Sequence, residues 1–191
     1  GAMELLGMPH APNVALFVEG HALPEVAAET QAAQGELERA LSYAGRWSIR
    51  RAAHAQAEHL PNRIGLKQAL REAFAETHGR LLVYMRCRVV HTTLGAAIVT
   101  DSDWGAFPED STLELSWLRS ELRDLEARMM LVVIELVESE ASAEEVFAQL
   151  DVGRPDRLLA LTSDARTTSG LLQVLTAALH EGADVELQAL A

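Results

Sequence analysis

The sequence is almost without cysteine, and it lacks any apolar run long enough to cross a membrane. Cys87 is the single cysteine, so no disulfide can form within the chain, and no Cys/His grouping has the spacing of a zinc site. No stretch approaches the roughly 18 apolar residues of a membrane-spanning helix. The opening "GAMELLGMPHAP" lacks the basic region and apolar core of a signal peptide. These absences favour a cytoplasmic protein without a disulfide framework.

Motifs for cofactors and nucleotides are also missing. The segment "VEGHALPE", which follows the first apolar run, contains one glycine where a dinucleotide-binding loop needs three. The chain has neither a GxxxxGK[ST] phosphate loop nor the GxSxG elbow of serine hydrolases. We therefore expect no cofactor and no metal in this protein.

Positive charge is scarce. The chain has 16 Lys and Arg against 28 Asp and Glu, which gives a formal net charge of −12 and an isoelectric point of about 5.0. Such a balance argues against nucleic acid or an anionic membrane as the partner. A solvated acidic surface explains the charge most simply, and a cationic partner is the alternative.

Apolar residues are plentiful by contrast, at 49% of the 191 positions, which is enough for one domain with a sizeable core. Residues 1–12 are expected to be a flexible N-terminal segment, in which Gly1 and Ala2 are a cloning scar before Met3. Residues 13–191 are expected to form a single domain.

Apolar runs of strand length alternate with amphipathic helical segments along the chain. This alternation implies βαβ units, and hence an α/β protein with a mainly parallel central sheet of about six strands and helices on both faces. Strands are predicted at 14–18, 47–54, 80–85, 95–100, 129–136, 157–163 and 185–190. Helices are predicted at 24–44, 61–77, 112–127, 142–150 and 170–181.

The segment "MRCRVVH" places chemically active side chains at the carboxyl end of a buried strand. Ligand and catalytic residues of parallel sheets gather at such ends. Cys87 lies between Arg86 and Arg88, whose charges would lower the pKa of the thiol, and His91 is a candidate base. The alternative is that Cys87 is an inert small residue, which is the commoner role of an isolated cysteine.

Carboxylates occupy the corresponding end of the next apolar strand. Glu135, Glu138 and Glu140 end or follow "MMLVVIEL", and they could face Arg86 and Arg88 across a cleft. Two carboxylates at one sheet edge could act as general acid and base. Opposite charges at this place more often form a structural ion pair that fixes the loops, and we favour that interpretation.

The order and length of these elements resemble the caspase-like (caspase–haemoglobinase) fold, in particular bacterial metacaspase-type domains. "VALFVEG" is similar to the family's first strand, which reads like "ALLIGI", and "LPNRIGLKQALREAFAE" to its segment "ATKANIRRALRELA". "LLVYMRCRVV" stands where the family has "LLFYFSGHG", and "MMLVVIELVESEAS" resembles "VLLILDACHSG". The resemblance covers residues 14–181, and it implies a three-layer caspase-like sandwich.

The departures from this family affect its catalytic residues. The resemblance aligns Arg88 with the family's catalytic histidine, Val137 with its cysteine nucleophile and Glu135 with the preceding aspartate. Valine has no nucleophilic atom, and arginine does not lose its proton near neutral pH. Since Cys87 is the only cysteine, shifting the alignment by one residue does not restore the nucleophile–base pair.

The leading hypothesis is therefore a catalytically inactive caspase-like domain, a pseudoprotease that binds a protein or peptide in signalling or regulation. The partner could itself be a caspase-like protein, and the weak strand at 185–190 leaves a sheet edge for homo-oligomer formation. One alternative is a cysteine hydrolase that uses Cys87 with His91 or Glu135. Another is a receptor for an anionic small molecule that binds Arg86 and Arg88.

Overall fold

A computed structural model describes residues 13–19, 24–44, 47–53, 62–100, 105–127, 129–154, 158–164 and 176. Within these ranges the chain forms eight strands and five helices. In chain order they are β1 (Asn13–Glu19), α1 (Pro24–Ala44), β2 (Trp47–Ala53), α2 (Arg63–Glu76), β3 (Arg80–Cys87), β4 (Val89–Thr92), β5 (Gly95–Val99), α3 (Pro108–Ser111), β6 (Thr112–Glu114), α4 (Leu115–Asp124), β7 (Met129–Leu136), α5 (Ala143–Leu150) and β8 (Leu158–Asp164).

Five of the strands form a parallel sheet in the order β2-β1-β3-β7-β8. The continuous apolar runs of β3 and β7 lie next to each other inside this sheet, as expected of strands that are covered on both faces. The α/β class with a mainly parallel sheet is confirmed. The described residues supply five strands to it rather than about six.

Helices cover both faces of the parallel sheet. On one face, α1 contributes Leu37 and Leu41, which pack against Phe17, Tyr84 and Val133. The opposite face is covered by α2, α4 and α5. Their buried contributions to that core are Leu66, Leu70, Ala73 and Phe74 from α2, Leu115, Leu118 and Leu122 from α4, and Val146 and Leu150 from α5.

The chain forms a second, smaller sheet within residues 86–114, where the sequence predicted one strand of the parallel sheet and the start of a helix. Strands β4, β5 and β6 form an antiparallel sheet, so the predicted strand at 95–100 does not belong to the parallel one. The segment between β3 and β5, for which no strand was predicted, contains β4. The helix predicted over 112–127 begins only at Leu115, because Thr112–Glu114 pair with β5 as β6.

Strand β2, which has a polar sequence, lies at one edge of the parallel sheet. It carries two adjacent arginines that reach helices on opposite faces. Arg50 forms an ion pair with Glu76 at the end of α2, and Arg51 forms one with Glu38 of α1. The guanidinium group of Arg51 also lies 5.8 Å from the centre of the Phe17 ring. Charge on an edge strand of this kind disfavours pairing with another chain.

Two helices begin at residues whose side chains cap them. The side chain of Asn62 accepts a hydrogen bond from the Gly65 amide at the start of α2, and the side chain of Ser142 accepts one from Glu145 at the start of α5. Such bonds satisfy amides that have no partner within the helix. No helix in the described part of the chain combines the length and the apolar character required to cross a bilayer.

Several predictions fall on residues outside the described ranges. They concern the N-terminal segment 1–12, most of the helix at 170–181 and the strand at 185–190. Thr176 is the one described residue of that predicted helix, and it is helical and buried.

Candidate functional site

The carboxyl end of the parallel sheet brings together the residues that the sequence singled out on β3 and β7. The two strands are in register from Arg80 and Met129 to Cys87 and Leu136. Arg86 is therefore the neighbour of Glu135 on the adjacent strand. Because residues in register on neighbouring strands point to the same face, these two side chains share one face of the sheet.

Arg86 and Glu135 are both buried, with 3% and 0% of their surfaces exposed. They follow Tyr84 and Val133 at a spacing of two residues, so they extend the face that α1 covers. Register and burial place a positive and a negative group together in the core, and the structural ion pair between them stays a prediction. The same burial argues against both residues as an open site for a ligand.

Cys87 points to the other face, where it belongs to the core beneath α2, α4 and α5. The thiol is fully buried, and burial raises its pKa from the ordinary value of 9.0 to about 12. The expectation of a lowered pKa between two arginines is therefore wrong. Arg86 lies on the opposite face of the strand, and desolvation of the thiolate determines the shift.

Arg88 and Val137 lie next to each other directly after the two strands. The amide of Val137 donates a hydrogen bond of 2.9 Å to the carbonyl oxygen of Cys87, and this bond extends the pairing of β3 with β7 by one position. Both side chains are half-buried. The carbonyl oxygen of Arg88 accepts a hydrogen bond of 2.9 Å from the amide of Val99 in β5. Arg88 thus marks the point where the chain passes from the parallel sheet to the antiparallel one.

His91 does not lie with Cys87. It is an exposed residue of β4, and its Nε2 lies 2.7 Å from Oε2 of Glu145 at the start of α5. The hydrogen bond from His91 lowers the pKa of the Glu145 carboxyl group. With the thiol in the core and the imidazole paired elsewhere, the structure does not support the predicted alternative of a Cys87–His91 hydrolase.

Residues 137–141 lie along the edge of β4, and we name this segment the strap. Val89 donates its amide to Oγ of Ser139 at 2.8 Å. The carbonyl oxygen of Val89 accepts from the amides of Glu140 and Ala141 at 2.9 and 3.2 Å. The amide of His91 donates to Oε1 of Glu140 at 2.9 Å. The strap therefore binds three backbone groups on this edge of β4, namely both groups of Val89 and the amide of His91.

Glu138 lies in the strap and its side chain is exposed, while its expected position opposite Arg86 and Arg88 stays a prediction. Its φ is 50°, which is the left-handed region that residues with a side chain seldom adopt. Glu138, Glu140, Glu144 and Glu145 are all exposed, and we name them the acidic rim. The rim gives this end of the sheet a negative surface.

Ser139 and the amides of Val89 and His91 were missed at the sequence level. The available signal was "VVHT", a short run with two valines and a threonine that favours a strand. Its pairing with β5 and with the strap depends on contacts between distant parts of the chain.

A scan against models of known protein families gives no match, and a search of curated proteins finds no significant relative. Within the described ranges, no group of three or more His, Cys, Asp or Glu side chains is arranged to hold a metal ion. The function must therefore be argued from the site itself.

Proposed function

We propose that the chain is a catalytically inactive caspase-like domain that acts in the cytoplasm by binding a protein or peptide in signalling or regulation. One observation carries the proposal. Arg88 and Val137, which the resemblance aligns with a catalytic histidine and cysteine, are neighbours at the carboxyl end of the sheet, joined through the Val137 amide and the Cys87 carbonyl. The resemblance requires this adjacency, although the two residues are 49 positions apart in the sequence.

The side chains at these positions argue against peptide hydrolysis. Val137 supplies no nucleophile, and Arg88 does not act as a base near neutral pH. The single thiol of the chain, that of Cys87, is buried with a pKa of about 12, so almost none of it is thiolate at neutral pH. A thiol protease needs an accessible thiolate next to a base.

The proposed fold and partner require a further strand and a surface that the partner can bind. A caspase-like sandwich of about six strands needs one strand beyond the five described, and residues 185–190 remain the predicted source. That strand would also be the edge through which copies of the chain associate, or a related caspase-like protein binds. The acidic rim and the net charge of −12 favour a basic partner segment.

A hydrolysis assay tests the loss of catalysis. The purified chain and the Cys87→Ala variant are incubated with a library of quenched fluorescent peptides that varies the residue at the cleavage position. We expect neither protein to cleave any peptide. Cleavage by the native chain that is lost in Cys87→Ala would overturn the proposal.

A binding assay tests the role of the acidic rim. Peptide arrays with basic, neutral and acidic segments are probed with the native chain, with Glu138→Lys and with Glu126→Lys. Glu126 is an exposed glutamate that precedes β7, at the opposite end of the strand from the rim. We expect binding to basic segments that Glu138→Lys weakens and Glu126→Lys preserves. Equal losses in both variants would mean that only the net charge matters, and no binding would contradict a basic partner.

A further inference from the structure

The edge of β4 that faces away from β5 presents backbone groups in the pattern of a β-strand. Arg88 directs its carbonyl oxygen to β5, where the Val99 amide binds it. Since alternate residues of a strand direct their backbone groups to opposite edges, Val89 and His91 present theirs to the strap. The strap therefore occupies a place where another strand could pair.

The strap binds this edge of β4 partly through its backbone amides and partly through side-chain oxygens. The amides of Val89 and His91 are bound by side-chain oxygens, those of Ser139 and Glu140. A side-chain oxygen leaves its donor by rotation about single bonds, whereas a paired backbone must move as a whole. These two amides are consequently the groups that the carbonyl oxygens of an added strand can capture most easily.

Strain in the strap also favours its displacement. The left-handed backbone of Glu138 costs on the order of 1 kcal/mol for a residue other than glycine, and this cost is recovered when the segment relaxes. An added strand would replace the hydrogen bonds that the strap loses.

We propose that this edge of β4 is a peptide-binding site, at which an extended peptide with basic side chains adds as a strand and displaces the strap, both the oxygens of Ser139 and Glu140 and the amides that bind the Val89 carbonyl oxygen. The inference rests on the proposed function and gives it a location and a mode of binding. The occupant is basic because carboxylates of the acidic rim flank the edge: Glu138 and Glu140 lie in the strap, and Glu145 contacts His91. Backbone hydrogen bonds supply the affinity, and the rim selects the charge.

Amide hydrogen exchange with a defined probe tests this mode of binding. The probe is a short, capped peptide in which arginine alternates with valine, and its control is the same peptide with methylated backbone nitrogens. We expect the native peptide to bind and to change the exchange of the Val89 and His91 amides, and the methylated peptide to bind at least roughly tenfold more weakly. The two peptides carry the same charge, so a purely electrostatic contact would not distinguish them.

Variants of the strap give a second, independent readout. Ser139→Ala leaves the Val89 amide without its side-chain acceptor, and we expect it to bind the probe roughly fivefold more tightly than the native chain. Glu140→Ala removes the acceptor of the His91 amide together with one charge of the rim. Its matched control is Glu144→Ala, which removes a rim charge without a bond to β4. We expect Glu140→Ala to bind more tightly than this control.

Two outcomes overturn the inference and leave the proposed function intact: equal affinity for the native and methylated peptides, or unchanged affinity in Ser139→Ala. Absence of binding in the native chain and in every strap variant also overturns it. Cleavage of the probe by the native chain would instead overturn the proposed function, and the two failures are therefore distinguishable.

Discussion

At the scale of single residues, the face of a strand decides the chemistry of its side chains. Arg86 and Cys87 are consecutive residues of β3, yet one lies beside Glu135 under α1 and the other lies in the core on the opposite face. Charges that are adjacent in sequence therefore do not activate the thiol. Burial in apolar surroundings raises the pKa of Cys87 because the thiolate loses its hydration.

The raised pKa of Cys87 predicts that stability depends on pH in the alkaline range. The unfolded chain releases the thiol proton above its ordinary pKa of 9.0, whereas the folded chain retains it up to about 12. The stability that the buried, protonated thiol contributes is fully present below pH 9.0, and it is lost as the pH rises towards about 12. We expect native stability to fall relative to Cys87→Ala by about 1.4 kcal/mol per pH unit in this window. Denaturant unfolding at a series of pH values measures the difference, and parallel curves would contradict the prediction.

The burial of Arg86 beside Glu135 predicts strong coupling between the two residues. Glu135→Leu leaves the guanidinium group of Arg86 buried beside an apolar side chain, and we expect it to lower the free energy of unfolding by about 3 kcal/mol. The double variant Arg86→Met/Glu135→Leu removes both charges, and we expect it to be more stable than Glu135→Leu alone. Urea unfolding of the two single variants and the double variant gives the coupling energy. Additive effects would show that the residues do not interact.

At the scale of elements, the sequence predicts long segments with a clear period and misses short ones. The helix at Pro24–Ala44 and the strand at Met129–Leu136 agree with their predicted bounds, because each displays a complete period or apolar run. Strands β4 and β6 have four and three residues, too few for a period. Their structure depends on pairing with β5, which the sequence alone does not reveal.

Helix α5 begins beside the strap, and its cap predicts a local effect on stability. Ser142→Ala removes the oxygen that accepts from the Glu145 amide, and we expect the free energy of unfolding to fall by about 1 kcal/mol. Ser142→Asp retains an acceptor, so we expect it to change the free energy of unfolding by only a few tenths of a kcal/mol. Thermal unfolding of the two variants tests the prediction. Equal losses in both would mean that the hydroxyl group acts through another contact.

At the scale of the whole molecule, the two sheets share one continuous run of chain. Residues 80–92 form β3 and then β4 with only Arg88 between them. Ile98 and Leu113 of the small sheet belong to the same apolar core as Val83 and Val132 of the large one. A common core of this kind is expected to unfold as one cooperative unit.

This shared core predicts a single unfolding transition even when only the small sheet is weakened. Ile98→Ala deletes fully buried methyl groups, and we expect it to cost about 3 kcal/mol. Leu94→Ala changes an exposed side chain in the β4–β5 turn, and its cost should stay within about 0.5 kcal/mol. Circular dichroism and tryptophan fluorescence should report the same midpoint in Ile98→Ala. Separate midpoints would show that the small sheet unfolds independently.

The arginines of β2 tie this strand to the helices on both faces of the sheet, and we expect them to favour its alignment with β1. Its sequence, "WSIRRAA", carries too weak an alternation of apolar and polar residues to select one register by burial alone. A slip by one position in either direction would put an apolar residue, Ile49 or Ala52, in the place of one arginine, and would leave Glu76 or Glu38 without its ion pair. Two consecutive arginines, one for each face of the sheet, thus favour an alignment that hydrophobic residues usually encode. A variant with Arg50→Glu and Arg51→Glu in β2, combined with Glu76→Arg and Glu38→Arg on the helices, reverses the sign of every charge. We expect it to keep the same alignment of β2 with β1.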